Sequence, residues 1–197
     1  QNIKVLAIVG IAGTTETGNV DPLDEMAGIA EQYQCHFHVD AAWGGATLLS
    51  NKHRNILAGI ERADSVTIDA HKQMYVPMGA GVVVFKDPTA VSAIEHHAEY
   101  IIRKGAKDLG SHTLEGSRSG MAMLVYSCLH IISRPGYEML INQGIEKAQH
   151  FAELIKQQPD FELITEPELC LLTYRYNPQS IQTLLLNSSH EQQDEIN

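Results

Sequence analysis

IKVLAIVGIAGTTETGNVDPLDEMAGIAEQYQCHFHVD, residues 3–40, reads as strand, loop, helix and strand. Ile3 to Val9 is an apolar, β-branched run closed by Gly10, the pattern of a strand buried on both faces. A glycine- and threonine-rich loop follows. Asp21-Pro22 then marks a helix start, with aspartate at the cap and proline in the first turn. Leu23, Met26, Ala27, Ala30 and Tyr33 continue at helical spacing, and a second strand ends in His38-Val39-Asp40. Downstream come a glycine-containing loop, a helical stretch around Ile56 to Arg62, a strand from Ser65 to Asp69, and the pair His71-Lys72. Gly81 to Phe85 is a further apolar run. This alternation predicts an α/β fold: a mostly parallel sheet flanked by helices on both faces. About ten residues separate the last two strands, too few for a helical crossover, so the last is expected as a hairpin neighbour.

Beyond residue 88 the pattern changes. A short helix, a polar loop from Arg103 to His112 and the segment Leu114-Glu115-Gly116-Ser117-Arg118-Ser119-Gly120 precede two long helical stretches. These run from about Gly120 to Ser133 and from about Gly136 to Gln158, divided by Arg134-Pro135-Gly136, and Pro159 ends the second. Phe161 to Thr165 and Cys170 to Tyr176 read as strands of a smaller α+β unit, and Gln179 to Asn197 starts helical and turns polar. The division expected is residues 1–135 as part of a large domain and residues 136–197 as the start of a small one. The chain opens at Gln1 and enters a strand at once, so further polypeptide is expected upstream.

Composition narrows the function classes. The 197 residues carry 14 Lys+Arg against 24 Asp+Glu, a formal charge of −10. That balance argues against a protein built to grip nucleic-acid phosphates. No apolar run approaches the roughly 20 residues of a membrane helix. Three scattered cysteines, Cys35, Cys128 and Cys170, make no disulfide framework, which points to a reduced, cytoplasmic compartment.

In open α/β sheets, ligands sit beyond the carboxyl ends of the strands. Asp40 closes one strand there, and Lys72 follows another by three residues. The bland reading is an ion pair at the sheet edge. The chemical one begins from the lysine: desolvated and near other cations, its neutral amine forms an imine with an aldehyde. Pyridoxal phosphate is the common aldehyde cofactor, and its pyridine nitrogen calls for a carboxylate partner. Asp40 and Lys72 supply both groups.

His38-Val39-Asp40-Ala41-Ala42-Trp43-Gly44-Gly45 and Asp69-Ala70-His71-Lys72 resemble the two signature segments of the group II pyridoxal-phosphate-dependent amino-acid decarboxylases. The loop Gly13-Thr14-Thr15-Glu16-Thr17-Gly18-Asn19-Val20-Asp21-Pro22 and the segment from Leu114 to Gly120 resemble two more, in the same order. The resemblance implies the fold type I architecture of pyridoxal-phosphate-dependent transferases, with pyridoxal phosphate as cofactor and an L-amino acid as substrate. It also implies a homodimer with shared active sites, with no nucleic-acid or membrane partner.

Residue roles follow from the same resemblance. Lys72 holds the cofactor covalently, Asp40 pairs with the pyridine nitrogen, and Ala42 packs on the ring. Thr15 lies beside the cofactor, with Thr14 as the alternative. His71 reaches the phosphate or the substrate side, or is a packed strand-end histidine. Tyr100 is a loop tyrosine that returns a proton to the α-carbon, or a plain surface tyrosine. Ser117 and Arg118 approach a partner subunit's site, or are a helix cap and a surface charge. The substrate implied is acidic, glutamate or aspartate, with L-2,4-diaminobutyrate and aromatic amino acids as alternatives. Family subunits are longer, and the upstream part that supplies phosphate contacts and a histidine stacked on the ring is not in these residues.

Other classes compete. His36, His38 and Asp40 share one strand face and could form a metal site in a hydrolase or binding module. That reading leaves the Asp-Ala-His-Lys and Gly-Thr-Thr segments unexplained. His96-His97 reads as a solvated helix end. The window Gly116 to Gly120 is centred on Arg118 and not on serine, which disfavours a serine hydrolase. A non-catalytic module is the remaining reading, and intact Asp40 and Lys72 argue against it.

Overall fold

The computed structural model describes residues 3–96, 109–113 and 119–186. Tyr100, Ser117 and Arg118 lie outside them. Four strands form the main sheet: β1 (Ala7–Ile11), β2 (His36–Asp40), β3 (Ser65–Asp69) and β4 (Gly81–Phe85), adjacent in that order. The first three are parallel, with Ile11 opposite Asp40 and Asp40 opposite Thr67. β4 returns antiparallel to β3, as its short connection requires.

Alternation along the strands separates two faces. Ile8, Phe37, Val39, Val66 and Ile68 point to one side, where α1 (Leu23–Tyr33) lays Leu23, Ala27 and Ala30 against them. Gly10 is there because any Cβ would stand 2.8 Å from Leu23 Cδ2. The other side carries Val9, Ile11, His36, His38, Asp40, Ser65, Thr67 and Asp69. The expectation of a first strand buried on both faces is therefore corrected: Val9 is 54% exposed on the second side. Among the described residues the helices pack on the Phe37 side.

Two local expectations also change. Asp21 does not cap α1: its Oδ2 accepts the Ile11 amide at 2.8 Å, while its own N–H donates to Ile11 O, closing the threonine loop at its base. Ile56 to Arg62 forms two 3-10 turns, Arg54–Leu57 and Ile60–Arg62, broken by Gly59 at φ 96°. A left-handed residue mid-segment ends α-helical hydrogen bonding.

α2 (Met121–Lys156) joins the two predicted helical stretches through a kink at Ser133 (φ 61°, ψ 167°). Pro135 opens the second leg, where a missing N–H costs nothing. That leg buries Tyr137, Ile141 and Ile145 against Ala70, Met74, Val76 and Ala80. The Tyr137 hydroxyl donates to Met74 O at 2.9 Å, and Ser50 Oγ donates to Asn142 Oδ1 at 2.6 Å. β5 (Phe161–Leu163) and β6 (Tyr174–Tyr176) pair antiparallel in a separate ribbon, followed by α3 (Gln179–Leu186). β6 is shorter than the Cys170 to Tyr176 expected, because Leu169 and Leu171 pack on the threonine loop instead.

The site is held together by a close backbone approach. Gly44 N donates to Ala12 O at 2.9 Å, and a Cβ on Gly44 would stand 2.5 Å from that oxygen. We expect Gly44→Ala to destabilise the fold by about 3 kcal/mol, the upper end for overpacking, because backbone and not a flexible side chain must yield. Urea denaturation of parent and variant measures it.

Candidate functional site

Each element of the site sits at the carboxyl end of a parallel strand. After β1, the chain turns through Gly13–Asn19, closed by hydrogen bonds from Gly13 N and Thr14 N to Asn19 O, both 3.0 Å. Thr14 Oγ1 is engaged within the loop, 2.6 Å from Thr17 Oγ1 and accepting the Asn19 amide. Thr15 is exposed at the turn. The second unit braces this loop: Glu168 Oε1 accepts Asn19 Nδ2 at 2.7 Å, and Thr173 Oγ1 donates to Glu16 O.

β2 delivers Asp40. Its Oδ1 accepts the Ala42 amide at 3.0 Å, which fixes the carboxylate at the strand end. The small side chain of Ala42 follows, and its carbonyl accepts the Asp69 amide at 3.2 Å, tying this turn to β3.

β3 delivers Asp69 and, one tight turn later, Lys72. Lys72 Nζ lies 2.8 Å from Asp69 Oδ2, with the lysine side chain 35% exposed and the aspartate 21%. His71 Nδ1 donates to Ala80 O at 3.0 Å, and its Nε2 lies 3.9 Å from the same Asp69 oxygen. The tautomer of a neutral His71 is thereby set, with Nε2 free to accept. Asp69 and Asp40 share a sheet face: Asp40 is opposite Thr67, and Asp69 is two residues beyond Thr67.

Behind Asp40 on this face lies a polar ladder. His36 Nε2 and His38 Nδ1 both sit 2.8 Å from Ser65 Oγ, and His38 Nε2 is 3.4 Å from Thr67 Oγ1. A hydroxyl has one proton, so at most one ring accepts from Ser65 and at least one donates to it. These rings serve a β2–β3 hydrogen-bond network. Among the described residues no group of three His, Cys, Asp or Glu is placed to hold a metal.

Lys72 also borders an open cavity of about 430 Å³, lined with it by Trp43, His71, Gln73, Leu140, Ile141 and Cys170 among others. Asp40, Ala42 and Thr15 do not line it. Among the described residues, Trp43 Nε1 and Gln73 Nε2 are buried with no hydrogen-bond partner. Burial pushes the Cys170 thiol's pKa up, an effect the neighbouring Trp43 indole N–H partly offsets. Asp69 was the member hardest to see in the sequence. Its signal was a carboxylate three residues before a lysine, a spacing that also describes countless surface pairs.

A lysine amine and a carboxylate at neighbouring strand ends of a parallel sheet, beside a glycine-threonine loop, are the groups that a carbonyl cofactor bearing a basic nitrogen requires. The donor set suits pyridoxal phosphate: an amine for the aldehyde, a fixed carboxylate for the pyridine nitrogen and a small Ala42 between strand ends. The pyridoxal-dependent decarboxylase conserved domain matches residues 1–177, and the chain belongs to that family. It is 71% identical over 196 residues to aspartate 1-decarboxylase of Aliivibrio fischeri, an alignment covering 100% of this chain and 36% of that protein. It is 31% identical to L-2,4-diaminobutyrate decarboxylase of Acinetobacter baumannii, over 95% of this chain and 38% of the relative. Apo mouse CSAD superposes with a TM-score of 0.84 at 28% identity, over 97% of this chain and 40% of the other. The chain thus spans little more than a third of the length of the curated relatives it matches.

Proposed function

We propose that the whole protein is a pyridoxal-phosphate-dependent carboxy-lyase that releases carbon dioxide from L-aspartate. The observation that carries this reading is the placement of Asp40 and of the Lys72–Asp69 ion pair at neighbouring strand ends, with the two aspartates on one sheet face. The acidic substrate rests on the 71% identity with an aspartate 1-decarboxylase. On this reading residues 1–135 belong to the cofactor-binding domain and residues 136–197 open a smaller one. The separate β5–β6 ribbon and the kink at Ser133 support that division. We propose a cytoplasmic homodimer; no described helix is long and apolar enough to cross a membrane.

Lys72 attaches the cofactor through Nζ, and Asp40 holds a proton on the pyridine nitrogen. Bound there, pyridoxal phosphate supplies the electron sink for the pair left when the carboxylate departs. The Ala42 amide keeps Asp40 Oδ1 oriented, so the carboxylate does not reorganise as charge develops. Ala42 leaves room for the ring face, and Thr15 and His71 border the same strand ends. Tyr100 and Ser117 keep the roles the resemblance implies, respectively proton return to the α-carbon and contact with the partner subunit's site.

Carbon dioxide release from a panel of aspartate, glutamate, 2,4-diaminobutyrate and aromatic amino acids tests the assignment. We expect kcat/KM highest for aspartate and about tenfold or more lower for glutamate, whose extra methylene alone is worth that discrimination. Turnover confined to aromatic substrates would overturn the acidic assignment.

A further inference from the structure

The Lys72–Asp69 ion pair has a use beyond anchoring a turn. Asp69 is half-buried, points to the Asp40 side of the sheet, and makes its 2.8 Å contact with the one amine that must exchange on and off the cofactor. Its backbone is fixed at both ends: its N–H donates to Ala42 O, and its carbonyl accepts the Lys72 amide at 3.1 Å. The lysine, in contrast, swings on four rotatable bonds. Asp69 is therefore a stationary acceptor for a mobile cation.

We propose that Asp69 is the resting place of the Lys72 ammonium whenever another amine occupies the cofactor, and that it thereby favours that exchange. The inference rests on the pyridoxal-phosphate reading above. In the exchange, the incoming nitrogen bonds the cofactor's carbonyl carbon as the Nζ–carbon bond breaks. Two protons of the incoming ammonium pass to Nζ, which carries one in the protonated imine and so leaves as an ammonium. In water-exposed surroundings that cation gains little from a partner, but a half-buried charge-assisted hydrogen bond is among the stronger polar contacts. His71 Nε2 lies 3.9 Å from the same oxygen, and a Cβ on Gly81 would meet the other, Asp69 Oδ1, at 3.5 Å, ordinary contact.

The test uses the whole holo-protein and methylamine, which has no carboxylate and reports on exchange alone. The visible absorption of the bound cofactor follows displacement, and borohydride followed by peptide mapping counts what remains on Lys72. We expect Asp69→Asn, nearly isosteric but uncharged, to require about tenfold more methylamine for half-displacement. Without methylamine, the Lys72 label persists in that variant, which shows it folded, and Asp69→Glu restores part of the parent behaviour. Half-displacement unchanged in Asp69→Asn, with Lys72 still labelled, overturns the resting-place role and leaves the cofactor reading intact. An unlabelled Lys72 in the parent protein removes that reading, and this inference with it.

Discussion

Lys72→Ala in the whole protein abolishes borohydride-fixed cofactor, and carbon dioxide release falls by on the order of 10⁴-fold or more, as when an enzyme loses its covalent nucleophile. The same treatment of the parent protein places the label on the peptide that contains Lys72. Lys72→Arg is the sharper variant. Guanidinium keeps the positive charge and can still pair with Asp69, so the local fold around β3 is preserved. It stays protonated, and so has no lone pair to offer an aldehyde. If charge pairing were the purpose of this residue, arginine would serve nearly as well. The expected result is that arginine fails as completely as alanine in covalent labelling while matching the parent in urea stability. Normal turnover with arginine at this position would exclude the covalent role.

The parallel core of this sheet was legible because its rules are local. Short apolar, β-branched runs alternating with helical spacing, and a connection too short for a crossover, pointed to a mostly parallel sheet with a hairpin return, as observed. The strand-end positions of Asp40 and Lys72 followed from the same pattern. What could not be read was which tertiary partner wins each polar group. Asp21 has an ideal sequence context for a helix cap, yet its carboxylate takes the Ile11 amide at the loop base. Ile56 to Arg62 has helical composition, but Gly59 packs so tightly on α1 that a Cβ would stand 2.4 Å from Asp24 N. The backbone must adopt a left-handed turn there, whatever the neighbours prefer. Asp69 is the same problem within the site. Its spacing to Lys72 is visible, but its weight comes from partial burial and from the face it shares with Asp40, and both belong to the folded sheet.

On the proposed reading Asp40 serves the chemistry more than the attachment of the cofactor, and its replacement should separate the two. Asparagine retains an oxygen for the Ala42 amide, so the strand end keeps its 3.0 Å hydrogen bond and the ladder behind it is undisturbed. It loses the negative charge that holds a proton on the pyridine nitrogen. Covalent attachment at Lys72 requires only an amine and an aldehyde, so the borohydride label persists in Asp40→Asn. Loss of carbon dioxide requires the ring to accept an electron pair, and without the carboxylate that charge is no longer compensated. We expect kcat to fall by about 10²–10³-fold, the cost of removing one preorganised electrostatic partner, with the larger share in kcat and not in KM. Single-turnover carbon dioxide release from labelled aspartate, read beside the Lys72 label, measures the two quantities on one sample. Asp40→Ala adds the loss of the Ala42 contact and should lower the label as well. A variant series in which label and rate decline together would instead make Asp40 a structural support of the strand end.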